Sequence, residues 1–348
     1  MTRRTTLLTR RNVLFGAAAL GTVRIPVAAF AQSTPTAPTS SLGWSDSFDS
    51  GNGLINIATT VAPISSITRN VLGDRGNLHG VVPDGTNSHT FEPAPSDAII
   101  LSGADVVFVN GLQLEQPTME LAEANLKAGA EIDILGDQTI TPDQYVYDFS
   151  FPKEDGKPNP HLWMNPMFAL NYAKLIAAKL TERVPDNADY FAANLGRYTD
   201  LLNRLDVGIA AAVQTIPEEN RKLLTYHDSY AYFAPRYGMT VIGAVQPSDF
   251  SEPSAKEVAE LIDQIKAAKV PAVFGSEVFP STVLEQIAKE AGAQYIDKLR
   301  DDEPPGSPNA PEHTYVGMML NNMNLMVPAL GGNVDALAGI EPWDTWQP

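Results

Sequence analysis

The chain of 348 residues contains no cysteine. That excludes disulfides, thiolate metal knuckles, iron–sulfur clusters and a cysteine nucleophile. It equally excludes the lipid-modified N-terminal cysteine by which many exported bacterial proteins are anchored. Positive charge is scarce: 24 Lys and Arg stand against 41 Asp and Glu, a formal net charge of −17. Nucleic acid and anionic membrane both demand Lys/Arg neutralisation, so the balance opposes either as a partner. Histidine is rarer still, with five in the whole chain. No segment beyond the N-terminus approaches the roughly 20 apolar residues that span a bilayer. What is present is a hydrophobic fraction of 44%, normal for a globular protein, over a length that suits two domains or one large one.

Residues 1–31 read as an export address. Arg3, Arg4, Arg10 and Arg11 precede an apolar run from Val13 to Val23, and Ala29-Phe30-Ala31 makes a small-x-small cleavage site. Thr9-Arg10-Arg11-Asn12-Val13-Leu14 has the form of a twin-arginine signal, with Val13 where phenylalanine is commoner. Arg24, just after the run, suits that route better than general secretion. An uncut membrane anchor is the rival reading, and the run is far too short for it. Cleavage would remove five arginines and no acid, leaving 19 basic against 41 acidic side chains, net −22. Residues 32–52 form a flexible spacer that opens with QSTPTAPTSS (32–41).

From Leu54 onward the pattern alternates strand and helix. LINIATTV (54–61), NLHGVV (77–82), ADVVFVN (104–110) and EIDIL (131–135) read as strands. Helices are expected around Ile64, Ile67 and Val71, over 95–103 and over 116–129. Strands this apolar, separated by helices, argue for a parallel sheet buried on both faces. Residues 137–160 carry Pro142, Pro152, Pro158 and Pro160 and read as a long loop, the kind that is often functional. Helical signal then dominates from Pro166 to Thr215. Tyr190, Phe191, Leu195, Tyr198, Leu201, Leu202, Leu205, Ile209 and Val213 fall on one stripe. A helix over 186–214 would be roughly 43 Å long, a spine between two lobes. RKLLTYH (221–227), MTVIGAV (239–245), VPAVFG (270–275) and AQYID (293–297) are four further strands, with helices near 228–236, 254–268 and 280–291. Four strands thus precede the spine and four follow it. The expected organisation is an N-terminal lobe over 53–184, a linking helix over 185–216 and a C-terminal lobe over 217–348.

Three of the five histidines lie where open α/β sheets bind ligands, at strand ends and helix starts. His89 sits in the turn-rich loop PDGTNSHTFEP (83–93), His161 in NPHLWMNP (159–166), and His227 directly after the strand LLTY. Asp297 takes the matching place after the last strand. Two candidates precede the spine and two follow it, so facing lobes would close four ligands around one ion. Neutral imidazoles with a carboxylate suit a borderline divalent cation, Zn²⁺ foremost, in tetrahedral geometry. Read singly, each histidine is as readily a structural hydrogen-bonding residue.

Four stretches resemble the zinc- and manganese-binding receptors of bacterial ABC importers: SHTFEPAPSDAIILSGADVVFVNGLQLE (88–115), NPHLWMNP (159–166), LTYHDSYAYFAPRYGM (224–239) and AGAQYIDKL (291–299). They occur in order across about residues 53–330. The resemblance implies an α/β fold of two (β/α)₄ lobes with four-stranded parallel sheets, joined by one long rigid helix. It implies a metal site at His89, His161, His227 and Asp297. There are departures. Zinc-importing members often carry a histidine-rich loop ahead of the second ligand, and 137–160 has none. Lys298 stands where a small residue or proline commonly follows the Asp, and Asp301, Asp302 and Glu303 lie close by as substitutes.

Other residues read as structural. Glu277 is expected to cap or be solvated, His79 and His313 to be non-ligands, and Trp163 and Tyr226 to shield the site. Asn159 or Asp228 would orient a ligand imidazole, and DDEPPG (301–306) reads as an exposed turn. The function expected is that of an exported, soluble, monomeric receptor in the periplasm or on the extracytoplasmic face, not an enzyme. It would capture Zn²⁺, alternatively Mn²⁺ or Fe²⁺, and deliver it to an ABC importer permease. The rival is a secreted zinc hydrolase with Glu277 or Glu252 as base. Three histidine ligands would make affinity fall as pH drops through roughly 6.5.

Overall fold

The computed structural model describes residue 48 and residues 51–246, 251–278, 282–308 and 310–346. The expected export address lies outside them. Strands β1 (Ile55–Thr59), β2 (Gly76–Gly80), β3 (Val106–Val109) and β4 (Glu131–Ile134) form a parallel sheet in the order β2-β1-β3-β4. Strands β5 (Lys222–Thr225), β6 (Thr240–Ala244), β7 (Ala272–Ser276) and β8 (Gln294–Leu299) form a second one, in the order β6-β5-β7-β8. In both sheets the strand order therefore reverses beside the first strand, which opens a crevice at the strands' carboxyl ends.

Helices α1 (Ala62–Leu72), α2 (Pro95–Gly103), α3 (Gln116–Asn125) and the short α4 (Leu135–Thr139) accompany the first sheet. Then come α5 (Pro166–Arg183) and α6 (Ala188–Gln214), and finally α7 (Ala234–Tyr237), α8 (Ala255–Ala268), α9 (Thr282–Ala291) and α10 (Tyr315–Ala329). Starts are set by local chemistry. Proline occupies the first position of α2 and of α5, where a missing N–H costs nothing. Asn165 accepts from Met167 N at 3.0 Å ahead of α5, and Thr314 accepts from Gly317 N at 2.9 Å ahead of α10. Ser254 and Glu257 form a reciprocal capping box on α8.

The spine is α6, 27 residues, or about 40 Å at 1.5 Å per residue. Its stripe is buried at Phe191, Tyr198, Leu201, Leu202, Leu205, Ile209 and Val213. Gly208 on this helix lets the C-terminal segment close in: a Cβ there would meet Leu337 Cδ2 at 2.8 Å. The largest core cluster holds Ile57 of β1 together with Phe274 of β7 and Met319 of α10. Separate outer clusters lie behind each sheet, around Val107 and Leu101 in one lobe and Val273 and Ile287 in the other.

Two expectations need correction, and one helix was not anticipated. The helix near 228–236 shrinks to the four residues of α7, because Thr225 Oγ1 and Ser229 N both turn onto His227 O, at 2.6 and 3.1 Å, making a tight turn instead. Strand β8 runs two residues past Asp297. Helix α10 was not anticipated, since its Met- and Asn-rich run has no polar face for a periodicity to reveal.

Candidate metal centre

His89, His161 and His227 converge. His89 lies in the loop after β2, His161 opens a 3₁₀ turn (Leu162–Met164) ahead of α5, and His227 follows β5. The Nε2 of His161 lies 3.2 Å from that of His89 and 3.1 Å from that of His227. His161 and His227 are buried and His89 is half-buried. Two of the rings are aimed from behind: Asn159 Oδ1 accepts from His161 Nδ1 at 2.8 Å, and Gln246 Oε1 from His227 Nδ1 at 2.9 Å. A proton held on Nδ1 leaves the Nε2 lone pair bare and pointing inward. Bare lone pairs 3.1 Å apart repel one another, and a cation between them turns repulsion into ligation. Donors on a tetrahedral zinc at 2.0–2.1 Å would stand about 3.3 Å apart.

Burial pushes all three imidazole pKa values down, because the charged form loses its water; that of His227 falls to about 4. The imidazoles repel one another's charge as a smaller cause at His89 and His161. All three are therefore neutral well below pH 6.5, and the expectation that imidazole protonation weakens binding near that pH is corrected. Water-exposed histidines would behave that way; these are not.

Asp297 is not brought to the trio. It is exposed on β8, and its Oδ1 accepts from Tyr295 Oη at 3.2 Å. The reason is a bulge: Phe274 pairs with Ile296 but Ser276 with Leu299, so β8 carries an extra residue, and Lys298 takes it up at φ 64°. The chain beyond is thereby turned inward. Asp301 and Asp302 are 3% and 6% exposed, not a solvated turn. Ser88 Oγ, beside His89, donates to Asp302 Oδ2 at 2.8 Å, while Asp301 Oδ1 and Asp302 Oδ1 are buried without a hydrogen-bond partner among the described residues. Burial raises both pKa values, with Glu277 adding repulsion; that of Asp302 reaches about 7. Glu277 caps this turn rather than standing in solvent: its Oε1 accepts from the backbone N–H of Asp301, Asp302 and Glu303 at 3.0, 3.1 and 3.0 Å.

Aromatic side chains wall the centre. Trp163 is fully buried, its ring centroid 5.2 Å from that of His161, and its Nε1 donates to Asp301 O at 2.7 Å. Phe151, from the proline-rich loop, packs against all three imidazoles. Sequence reasoning missed both Phe151 and Gln246. The aromatic run YVYDFSF (145–151) in a loop expected to be functional was the one signal for Phe151; Gln246 had none. Of the remaining histidines, His79 is on β2 near Phe48, and His313 lies 3.4 Å from Asp84. Asp228 is buried and its carbonyl accepts from Asn159 Nδ2 at 2.7 Å. Tyr226 is buried in the outer core cluster of its lobe, and Glu252 is exposed.

A cleft between two parallel-sheet lobes, closed around inward-facing neutral imidazoles, defines a receptor for a divalent cation. The chain belongs to the family of the periplasmic zinc-uptake complex component A, ZnuA, which it matches over residues 57–329. It is 28% identical over 282 residues to the manganese-binding lipoprotein MntA of Halalkalibacterium halodurans, covering 81% of this chain and 90% of that one. It is 27% identical over 253 residues to the manganese ABC transporter substrate-binding lipoprotein PsaA of Streptococcus pneumoniae, covering 73% and 82%. Among solved structures, the periplasmic zinc-binding protein TroA of Treponema pallidum superposes with a TM-score of 0.72 at 27% identity, over 80% of this chain and 99% of that one. The protein is thus a metal-binding receptor of the ABC importer type and not an enzyme.

Proposed function

We propose that the chain captures Zn²⁺ between its lobes with His89, His161, His227 and a carboxylate of the Asp301–Asp302 pair, and hands it to the permease of an ABC importer. The observation that carries the reading is the convergence of three Nε2 atoms, 3.1 and 3.2 Å apart, on two buried rings and one half-buried ring. Three nitrogens and one oxygen suit zinc better than the oxygen-rich sites preferred by manganese. A carboxylate of that pair is the candidate fourth donor because Asp301 Oδ1 and Asp302 Oδ1 are buried and lack a hydrogen-bond partner among the described residues. In this reading the receptor is exported through a twin-arginine signal and works outside the cytoplasm. Mn²⁺ is the alternative cargo, favoured by the oxygen donors at hand and carried in the names of MntA and PsaA. Fe²⁺ would be accommodated by the same donors.

Elemental analysis of the protein purified from its native compartment tests the cargo. About one zinc per chain is expected. Manganese or iron in its place would reassign the cargo, and purified protein that binds none of the three on titration would refute the site.

A further inference from the structure

Phe151 stands over the histidine trio in a way that no ligand role requires. Its ring centroid is 5.5 Å from that of His89, 5.7 Å from His161 and 5.6 Å from His227. The three imidazoles are themselves 4.8 to 5.0 Å apart. Near-equal distances place the phenyl ring close to the axis of the triangle, covering one of its two faces.

The cap is built in rather than merely resting there. Asp148 N donates to Phe151 O at 2.9 Å, and Phe151 N to Asp148 Oδ1 at 3.2 Å, closing the turn that presents the ring. The other oxygen of Asp148 accepts from Asn159 Nδ2 at 2.7 Å, and Asn159 is the residue that aims His161. Ser150 Oγ donates to the carbonyl of Gln246 at 3.3 Å, and Gln246 aims His227. The same two amide residues thus fix both the cap and the rings beneath it. On the outer side is a cavity of about 270 Å³ lined by His89, Phe151, Gln113, Asp155 and Lys157, far more than the roughly 30 Å³ that one water occupies. Phe151 and His89 both border that space.

We infer that Phe151 is a specificity-determining residue: its ring closes the open face of the trio, holds a bound cation to four donors and shuts out water ligands. This rests on the metal centre proposed above. A d¹⁰ zinc loses nothing by four-coordination, whereas Mn²⁺ favours six oxygen-rich positions and is penalised when two of them are blocked by a phenyl ring. Discrimination here comes from an apolar lid rather than from a change of ligand.

The test uses the full mature protein with Co²⁺, Zn²⁺ and Mn²⁺ as probes. Co²⁺ in the unaltered protein should show the intense visible bands of a four-coordinate ion, and Mn²⁺ should give no solvent-proton relaxation from inner-sphere water. In Phe151→Ala the Co²⁺ bands should weaken toward those of a five- or six-coordinate ion. Mn²⁺ should gain relaxivity, and the zinc-to-manganese affinity ratio should fall about tenfold, the scale of losing a group that shapes a metal site. Phe151→Leu, which keeps apolar bulk, should stay close to the unaltered protein. A folded Phe151→Ala with unchanged bands and ratio would overturn the inference. So would fast-exchanging water on Mn²⁺ in the unaltered protein, whatever the variant does. If the unaltered protein binds no Co²⁺, or His161→Ala binds it equally well, the metal centre itself falls, which is a different result.

Discussion

At the residue scale the acids and the imidazoles divide the pH dependence between them. The trio has pKa values pushed down by burial, His227 to about 4, so all three rings favour the neutral, ligating form. Asp302 is raised to about 7 and must lose its proton to bind a cation. Affinity for zinc should therefore fall roughly tenfold or more between pH 7.5 and pH 5.5, through a carboxyl and not a histidine. In Asp302→Asn the affinity should be weaker at pH 7.5 and nearly flat across that interval. Asp297→Ala, which removes only an exposed partner of Tyr295, should leave affinity unchanged. Chelator competition on the two variants decides the matter; a full loss in Asp297→Ala, or an unaltered pH slope in Asp302→Asn, would return the fourth position to Asp297.

Among elements, the turn after β8 is the one whose shape is imposed from outside. Glu277, just past β7, gathers three successive N–H groups onto one oxygen, and this fixes the backbone of the buried Asp301 and Asp302. Across the cleft, Gly85 N donates to Glu303 Oε2 at 3.0 Å and Ser88 Oγ to Asp302 Oδ2 at 2.8 Å, so the loop bearing His89 is tied to the same turn. Glu277→Ala should release the three N–H groups, each bond to a charged acceptor contributing about 1.5–3 kcal/mol. Because the three share one acceptor oxygen their contributions do not add, and a loss of about 3 kcal/mol in urea unfolding of the metal-free protein is expected, with zinc affinity down about 10- to 100-fold. Glu277→Gln keeps an acceptor oxygen and should lose less on both counts. Unchanged zinc affinity in a folded Glu277→Ala would mean that the turn holds its shape without this residue.

For the whole molecule, the decisive feature is that the two lobes share a core. The cluster containing Ile57, Phe274, Leu205 and Met319 runs from one sheet through the spine to the other. Two independently melting lobes would require that cluster to be cut, exposing side chains that are now fully buried. Calorimetry of the metal-free protein should accordingly show one transition, where a sequence divided by a spine suggests two. Saturating zinc at a thousandfold excess over Kd should add about 4 kcal/mol and raise the midpoint without changing the number of transitions. Two resolved transitions without metal would show that the shared core does not couple the lobes.

Much of this was legible in the residues themselves. Apolar runs such as INIAT and VVFV mark buried strands, and the stripe from Phe191 to Val213 marks the spine, because local periodicity and helix-starting prolines act over a few residues. The motifs around His89, His161 and His227 singled those rings out from five histidines. Tertiary structure decided the rest. The extra residue at Lys298 is absorbed as β8 stays in register with β7, and beyond that bulge Asp301 and Asp302 are buried while Asp297 is exposed. The contacts that finish the centre join residues 96 apart, Ser150 to Gln246, and 214 apart, Ser88 to Asp302. Hydrogen bonds and ring packing across such separations leave no period in the chain. They exist only once both sheets are folded and the lobes have met.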